Sequence, residues 1–246
     1  HAALRRVHEE DPHPRTERVG RTLAQPGLNV VMLGPPGAGK GTQASRLARH
    51  SGVPKISTGD ILRESASAGT PLGLEAKARI DQGNLVSDEV AIAIVRERLS
   101  RQDVANGFIL DGFPRTVIQA EALDEMMRTR SPLAVLHLVV PVDILVGRLH
   151  SRRICSVCGT NADPTKPDET VCAVCGGALV TRADDDEQVV RNRLQIYEDR
   201  TAPLVQYYRG RPTFFSIDGN QAPDAVAAAM QGALASAISV AQGGAR

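Results

Sequence analysis

Aromatic residues are scarce in this chain, and their scarcity narrows the range of functions. Of 246 residues, 3% are aromatic and none is tryptophan. A protein that binds single-stranded nucleic acid by stacking its bases would normally carry more. The chain also has no excess of one charge, with 29 basic against 28 acidic residues. This balance favours neither a surface that coats nucleic acid nor a polybasic membrane anchor, although a local basic cleft remains compatible with it.

Long apolar runs are missing as well. The longest apolar stretch, 133–142, is interrupted by His137 and Pro141. It is far shorter than the ~20 residues that a membrane-spanning helix needs, so it predicts a buried parallel strand with His137 as a core histidine. Residues 1–28 lack the apolar segment of a secretory signal. We therefore expect a cytoplasmic protein without a membrane partner.

Only four cysteines are present, and they form two close pairs. Cys155 and Cys158 belong to one Cys-x-x-Cys-Gly motif, and Cys172 and Cys175 belong to a second. Two such knuckles place four thiolates at the corners of a tetrahedron, which suits a structural Zn²⁺. Two disulfides, an iron–sulfur centre and free core cysteines are the alternatives, but the close pairs favour a metal in a reducing compartment. The surrounding insert has few apolar residues, so the metal would supply folding energy.

A zinc ribbon by itself would suggest a module that binds nucleic acid or another partner. Such a module needs basic and aromatic residues around its knuckles. The loop 159–171 instead has three acids, one lysine and no aromatic residue. We therefore expect a structural metal and no nucleic-acid partner.

A glycine-rich loop follows the apolar run 28–33. Gly34, Gly39 and Lys40 meet the G-x-x-x-x-G-K spacing of a phosphate-binding loop, in which backbone N–H groups and the lysine face phosphate oxygens. The alternative is a strand–helix turn without a ligand, but strand, loop, lysine and helix stand in the required order. Gly41 takes the place of the usual hydroxyl ligand of Mg²⁺, with Thr42 one residue later. We therefore expect magnesium to depend more on carboxylates and water.

Strands and helices alternate from residue 28 onward, which predicts a parallel sheet covered by helices on both faces. Residues 1–27 are polar and are expected to form a disordered extension. His50 is expected at the surface of a helix end. The acids Asp184, Asp185 and Asp186 suit the N-terminus of a long helix. Strands are predicted at 28–33, 53–57, 108–111, 133–140 and 213–217. Helices are predicted at 39–50, 88–102, 116–129, 142–150, after 186 and at 222–240, and several helical segments are predicted between 59 and 82.

Four further segments complete a recognisable pattern. They are STGDILR at 57–63, GNLVSDE at 83–89, GFILDGFPR at 107–115 and TRADD at 181–185. Together with GPPGAGKGT at 34–42 they resemble adenylate kinase, in the bacterial long form with a zinc-binding lid. The chemistry agrees, because a kinase that joins two nucleotides needs cations from several segments around the transferred phosphoryl group.

The resemblance implies an α/β fold of the P-loop NTPase type with a five-stranded parallel sheet flanked by helices. The core would comprise 28–56, 87–150 and 185–246, with an AMP-binding insert at 57–86 and a zinc-ribbon lid at 151–184. The implied reaction is reversible, Mg²⁺-dependent phosphoryl transfer from ATP to AMP, which gives two ADP, in a monomer. The alternative is another nucleoside monophosphate kinase, with a different acceptor base or with GTP as the donor.

The resemblance also assigns site residues. ATP would be held by the phosphate loop and by two later positions, namely Gly37, Ala38, Gly39, Lys40, Gly41, Thr42, Arg148 and Gly219. AMP would be held by Thr58, Arg63, Val86, Gly112, Arg115, Gln119, Arg182 and Arg193. Groups that act on the transferred phosphoryl would be Lys40, Arg115, Arg152, Arg182, Arg193 and Asp111, with Arg153 as a rival of Arg152. The chain departs from the family after the first knuckle, where Thr160, Asn161 and Ala162 stand in place of a stretch with a tyrosine.

Overall fold

The computed structural model describes residues 27–130, 132–163 and 166–243, and a sheet of five parallel strands forms its centre. The described strands are β1 (Leu28–Leu33), β2 (Lys55–Ser57), β3 (Gly107–Asp111), β4 (Leu133–Val139), β5 (Arg153–Cys155), β6 (Leu179–Thr181) and β7 (Phe214–Asp218). The central sheet has the order β2–β3–β1–β4–β7, and β5 pairs with β6 as a separate antiparallel ribbon. The α/β class and the five parallel strands predicted from the sequence are confirmed.

Helices cover both faces of this sheet. They are α1 (Lys40–Ser51), α2 (Thr58–Ser67), α3 (Pro71–Asp81), α4 (Asp88–Leu99), α5 (Val117–Met127), α6 (Val142–His150), α7 (Glu187–Ile196), α8 (Pro203–Tyr208) and α9 (Pro223–Gly243). Short 3₁₀ turns lie at Gln102–Val104 and Ala183–Asp185, and a π turn at Tyr197–Thr201 joins α7 to α8. No helix in the described part of the chain is both long and apolar enough to cross a membrane.

The strand pattern divides the core into two layers. Side chains of a strand alternate between the faces of a sheet, so Val30 and Met32 pack on one face while Val31 and Leu33 pack on the other. The first layer is completed mainly by α1, α6 and α9, and the second by α4, α5 and α8. Both faces of the strands are therefore apolar, which explains why the strands are continuous apolar runs rather than alternating ones.

Helix starts follow local capping chemistry. The side chains of Ser57, Ser87 and Thr116 each accept a hydrogen bond from a backbone N–H in the first turn of α2, α4 and α5. Such caps satisfy N–H groups that have no partner within the helix. They also fix the chain direction directly after β2 and near the carboxyl end of β3, where the segments that resemble kinase motifs lie.

The helical segments expected between 59 and 82 are two helices, because Thr70 caps α3 and Pro71 occupies its first turn. Two boundaries differ from the sequence prediction. Strand β2 begins at Lys55 rather than at residue 53. The long helix expected after the acidic trio is α7 followed by the π turn and α8. The extension expected at 1–27 lies outside the described residues except for Gly27.

Candidate active site and metal centre

The loop between β1 and α1 is shaped to receive an anion. Gly39 has a φ of 92°, a left-handed conformation that favours glycine, and it directly precedes the first turn of α1. Within the described chain, no side chain caps the N–H groups of that first turn. A Cβ on Gly34 would lie 2.7 Å from the carbonyl oxygen of Leu138, so the close approach of the loop to β4 also requires glycine. Free N–H groups at a helix start form a binding site for phosphate.

Lys40 lies over this loop. Its Nζ donates hydrogen bonds to the carbonyl oxygens of Gly34 at 2.7 Å and Pro35 at 2.8 Å. Burial lowers the pKa of Lys40 to about 7, Asp111 opposes the shift, and the neighbouring charge of Arg115 adds to it. Asp111 compensates the buried ammonium only in part, because other cations lie nearby. A phosphate group in the loop would supply a further compensating anion.

Asp111 lies at the carboxyl end of β3, opposite Gly41. A Cβ on Gly41 would be 3.1 Å from Asp111 Oδ2, so glycine lets the carboxylate approach α1 without a tight contact. The Asp111 side chain is 14% exposed and lines the cleft. Mg²⁺ binds in nucleotide sites through one or two carboxylates, water and substrate phosphates. A partly accessible carboxylate beside a phosphate loop fits this donor set, as expected from the missing hydroxyl at position 41.

Four of the residues assigned to the acceptor nucleotide, Thr58, Gly112, Arg115 and Gln119, are linked by hydrogen bonds around Gly112. Its carbonyl oxygen accepts hydrogen bonds from Thr58 Oγ1 and from Arg115 Nε, both at 2.9 Å. Gln119 Oε1 accepts from the backbone N–H of Arg115 at 2.8 Å, and Gln119 Nε2 donates to Asp88 at 2.7 Å. Thr58 and Gln119 are almost fully buried. Arg115 is thereby fixed by its neighbours before any ligand arrives.

Three arginines at the base of the ribbon are bound by two buried aspartates. Arg152 donates to Asp185 through Nε at 2.7 Å and Nη2 at 2.5 Å, and Arg182 donates to Asp184 at 2.8 and 2.9 Å. Arg193 Nη1 reaches both carboxylates, at 3.1 Å for Asp184 and 3.0 Å for Asp185. Burial opposes ionisation of Asp184, but the charges of Arg193 and Arg182 outweigh burial and hold its pKa below the ordinary value. Burial lowers the pKa of Arg193 to about 10.

This cluster corrects the role that the sequence suggested for the acidic trio. Asp186 does cap α7, since its side chain accepts a hydrogen bond from the N–H of Gln188 at 3.0 Å. Asp184 and Asp185 do not cap the helix, because they lie in the preceding 3₁₀ turn and pair with arginines. The wrong assignment arose because helix starts favour acids locally, whereas the partner Arg152 is 33 residues away.

Arg153 has a different environment from its neighbour Arg152. Its guanidinium donates to the carbonyl oxygens of Glu169, at 2.6 Å, and of Pro167, so it holds the loop of the ribbon. Arg148 Nη1 donates to the carbonyl oxygen of Gly219 at 3.0 Å, which brings the two expected donor-base positions together. Of Arg152 and Arg153, Arg152 is therefore the better candidate for a phosphate contact.

One cleft unites all these groups. Its volume is about 1110 Å³, which exceeds the roughly 300–1,000 Å³ of a pocket for a single drug-sized ligand. Its walls come from the phosphate loop, from α2 and the segment before α4, and from the ribbon. Every nucleotide-site and catalytic residue predicted from the sequence lines it, namely Gly37, Ala38, Gly39, Lys40, Gly41, Thr42, Thr58, Arg63, Val86, Asp111, Gly112, Arg115, Gln119, Arg148, Arg152, Arg182, Arg193 and Gly219.

The four cysteines meet in the ribbon. Their Sγ atoms all lie within 4.8 Å of one another, with Cys155–Cys175 at 3.3 Å and Cys158–Cys172 at 3.7 Å. A tetrahedral Zn²⁺ with bonds of about 2.3 Å separates its sulfurs by roughly 3.8 Å, so the cluster fits zinc. The backbone N–H of Cys158 donates to Cys155 Sγ at 3.4 Å and holds the pKa of Cys155 below its usual value. Such donors favour the thiolate that a metal requires.

Sequence reasoning missed three residues that line the cleft, namely Lys55, Asn161 and Asp184, and also the buried Asp185 that pairs with Arg152. Asp184 and Asp185 have the local pattern of helix acids, and Lys55 carries no motif signal. Asn161 was noted only as a departure, yet its Nδ2 lies 3.4 Å from Thr42 Oγ1 and joins the ribbon to the phosphate loop. The only sequence signal for this contact was that Asn161 lies two residues after the first Cys-x-x-Cys-Gly motif.

Comparison with known proteins agrees with this geometry. The family model for adenylate kinase matches residues 32–212. An adenylate kinase of Moorella thermoacetica is 50% identical over 214 residues, which cover 84% of this chain and 98% of that protein. Those of Clostridium tetani and Archaeoglobus fulgidus are 47% and 49% identical, and each alignment covers 79% of this chain and 92% of the relative. This chain therefore belongs to the adenylate kinase family.

Proposed function

We propose that the chain transfers a phosphoryl group reversibly from Mg-ATP to AMP and so forms two ADP. The proposal rests on the observation that two binding regions lie in one cleft. The cleft holds a phosphate loop on one side and a second, pre-arranged arginine site around Gly112 and Arg115 on the other. A transfer between two nucleotides needs both within one enclosed space.

Phosphoryl transfer demands positioning and charge stabilisation more than covalent chemistry. In the proposed reaction, the N–H groups of the phosphate loop and Lys40 hold the β- and γ-phosphates of ATP. Arg63 and Arg115 hold the phosphate of AMP, which places its oxygen in line with the γ-phosphorus. The negative charge on the phosphoryl group that is being transferred is neutralised by Arg152, Arg182 and Arg193.

The base pockets are part of the same proposal. Thr58, Val86 and Gln119 line the side of the cleft assigned to AMP, and membership of the adenylate kinase family supports adenine as the acceptor base. Arg148 and the backbone of Gly219 would hold the donor base. Mg²⁺, when bound, would neutralise phosphate charge, and Asp111 would orient it through its water shell.

The zinc site has a structural role in this proposal. Cys155, Cys158, Cys172 and Cys175 fill all four positions of a tetrahedral ion, so no position remains for a reacting water. The ribbon, taken as 151–184, would act as a lid that excludes water during transfer. The segment 57–86 would act as the AMP-binding insert. We also propose that the enzyme works as a monomer in the cytoplasm.

A coupled assay tests the acceptor. ADP formation from Mg-ATP is measured with AMP, UMP, CMP and GMP in turn, on zinc-loaded protein. We expect AMP to give the highest kcat/KM. A better rate with UMP or CMP would show that the acceptor base is wrong, and no activity with any acceptor in folded protein would refute the kinase assignment itself.

A further inference from the structure

Lys55 is a charged residue of the cleft without a role in the account above. It begins β2, its side chain is 24% exposed, and it lines the cleft. Its Nζ lies 3.6 Å from an oxygen of Asp60 and 3.9 Å from Oδ2 of Asp111. A Cβ on Gly41 would be 4.0 Å from the same nitrogen. The ammonium therefore lies beside the carboxylate that faces the start of α1.

The two distances show how Lys55 acts. Both exceed the 2.7–3.2 Å of an N–H···O hydrogen bond, so the interaction is one of charge rather than of directed donation. Asp60 also pairs with Arg63, so two cations lie beside Asp60. Asp111, whose position fits magnesium, has Lys55 as the cation within ion-pair distance in the described part of the chain.

A fixed cation beside a metal-orienting carboxylate has two effects. It compensates the carboxylate while no metal is bound, and it thereby weakens the attraction of that carboxylate for a divalent cation. We propose that Lys55 is a positioning residue that acts through Asp111 and limits how strongly Mg²⁺ tightens ATP binding. This inference rests on the proposed function, since it assumes that ATP and Mg²⁺ meet in this cleft.

Calorimetry on the zinc-loaded full chain measures this effect without turnover. The dissociation constant of ATP is determined with Mg²⁺ and in buffer freed of divalent cations by a chelating resin, and the ratio of the two is the magnesium enhancement. Lys55→Met should raise that enhancement about three- to tenfold, the size expected for one charge–charge interaction between partly exposed groups. Lys55→Arg should keep the wild-type value because it keeps the charge.

Matched variants separate this role from simpler ones. Lys77→Met removes a surface lysine that pairs with Asp81 on α3, and it should leave the enhancement unchanged. In an Asp111→Asn background, Lys55→Met should no longer change the enhancement, because the two residues act as one pair. Thermal unfolding checks that each variant is folded, and Lys55→Gln replaces Lys55→Met if the latter does not fold.

The outcomes are distinct. If Lys55→Met weakens ATP equally with and without Mg²⁺, Lys55 is a phosphate ligand and the inference is wrong. An unchanged or smaller enhancement in Lys55→Met would also overturn it, as would a change that persists in the Asp111→Asn background. Failure of the wild-type protein to bind ATP at all would instead refute the proposed function.

Discussion

Replacing Asp185 with asparagine removes a buried charge and keeps the shape of the side chain. The carboxylate is fully buried and accepts hydrogen bonds from Arg152 at 2.5 and 2.7 Å and from Arg193 at 3.0 Å. Removing one partner of a buried ion pair costs about 3–5 kcal/mol. The arginine side chains here keep 20% and 17% of their exposure, and Arg193 retains Asp184, so water and the second carboxylate reduce the loss. We expect about 2 kcal/mol of unfolding free energy to be lost, below that range for a fully buried pair.

Thermal unfolding measures this loss. For a chain of this size, 1 kcal/mol corresponds to roughly 2–4 °C, so the melting temperature of Asp185→Asn should fall by about 4–8 °C. The kcat should also fall, by about tenfold or more, because the arginines that we propose to act on the transferred group lose their fixed geometry. Binding of ATP should change less, since the variant leaves more net positive charge in the cleft.

Asp103→Asn is the matched control. Asp103 also makes a bidentate pair, with Arg98, but its side chain is 52% exposed. Solvent-exposed pairs contribute about 0–1 kcal/mol, so this variant should melt within a few degrees of the wild type and keep its activity. If the two variants lost equal stability, or if Asp185→Asn kept full kcat, the argument that buried carboxylates position the arginines would be refuted.

Three further predictions concern the cations and the metal. Lys40→Met and Arg115→Ala should each lower kcat by about 10³-fold or more without unfolding the protein, as measured by initial rates and circular dichroism; a fully active Arg115→Ala protein would show that this arginine is dispensable. Cys172→Ser, or chelation of zinc, should lower the melting temperature and the temperature of inactivation, and activity below that temperature should return when Mg²⁺ is resupplied; metal analysis showing no zinc and two disulfides would contradict the assignment. Because burial lowers the pKa of Lys40 to about 7 and bound phosphates would raise it, ATP binding above pH 7 should take up a proton. The affinity for ATP should therefore fall as the pH rises above 7, and calorimetry should find no such dependence in Lys40→Met.

Much of the architecture could be predicted from local signals. Apolar runs marked the strands of the sheet, and the glycine spacing marked the loop before α1. The break between α2 and α3 was also readable, because Thr70 and Pro71 are a cap and a first-turn proline. The sequence predicted several helical segments between 59 and 82 but not the boundary between them, because the whole stretch has helix-forming composition. Local signals therefore predicted the existence of the helices and strands more reliably than their boundaries.

The ion pairs of the site could not be predicted from local sequence signals. Arg152 and Asp185 are 33 residues apart, and no periodicity or motif spacing links them. The pairing of Lys55 with Asp111 depends on the adjacency of β2 and β3, which is a property of sheet order. Motifs indicated which residues meet in the cleft, but only the fold shows which of them compensate one another.

The ion pairs at the neck of the ribbon are independent of the cysteine cluster. Arg152 and Arg182 lie at the two ends of the ribbon, and the aspartates that bind them lie in the 3₁₀ turn just before α7. Both arginines are thus anchored at the junction, outside the four cysteines that lie between them in the chain. We therefore expect a change in the cysteine segment to leave these ion pairs in place.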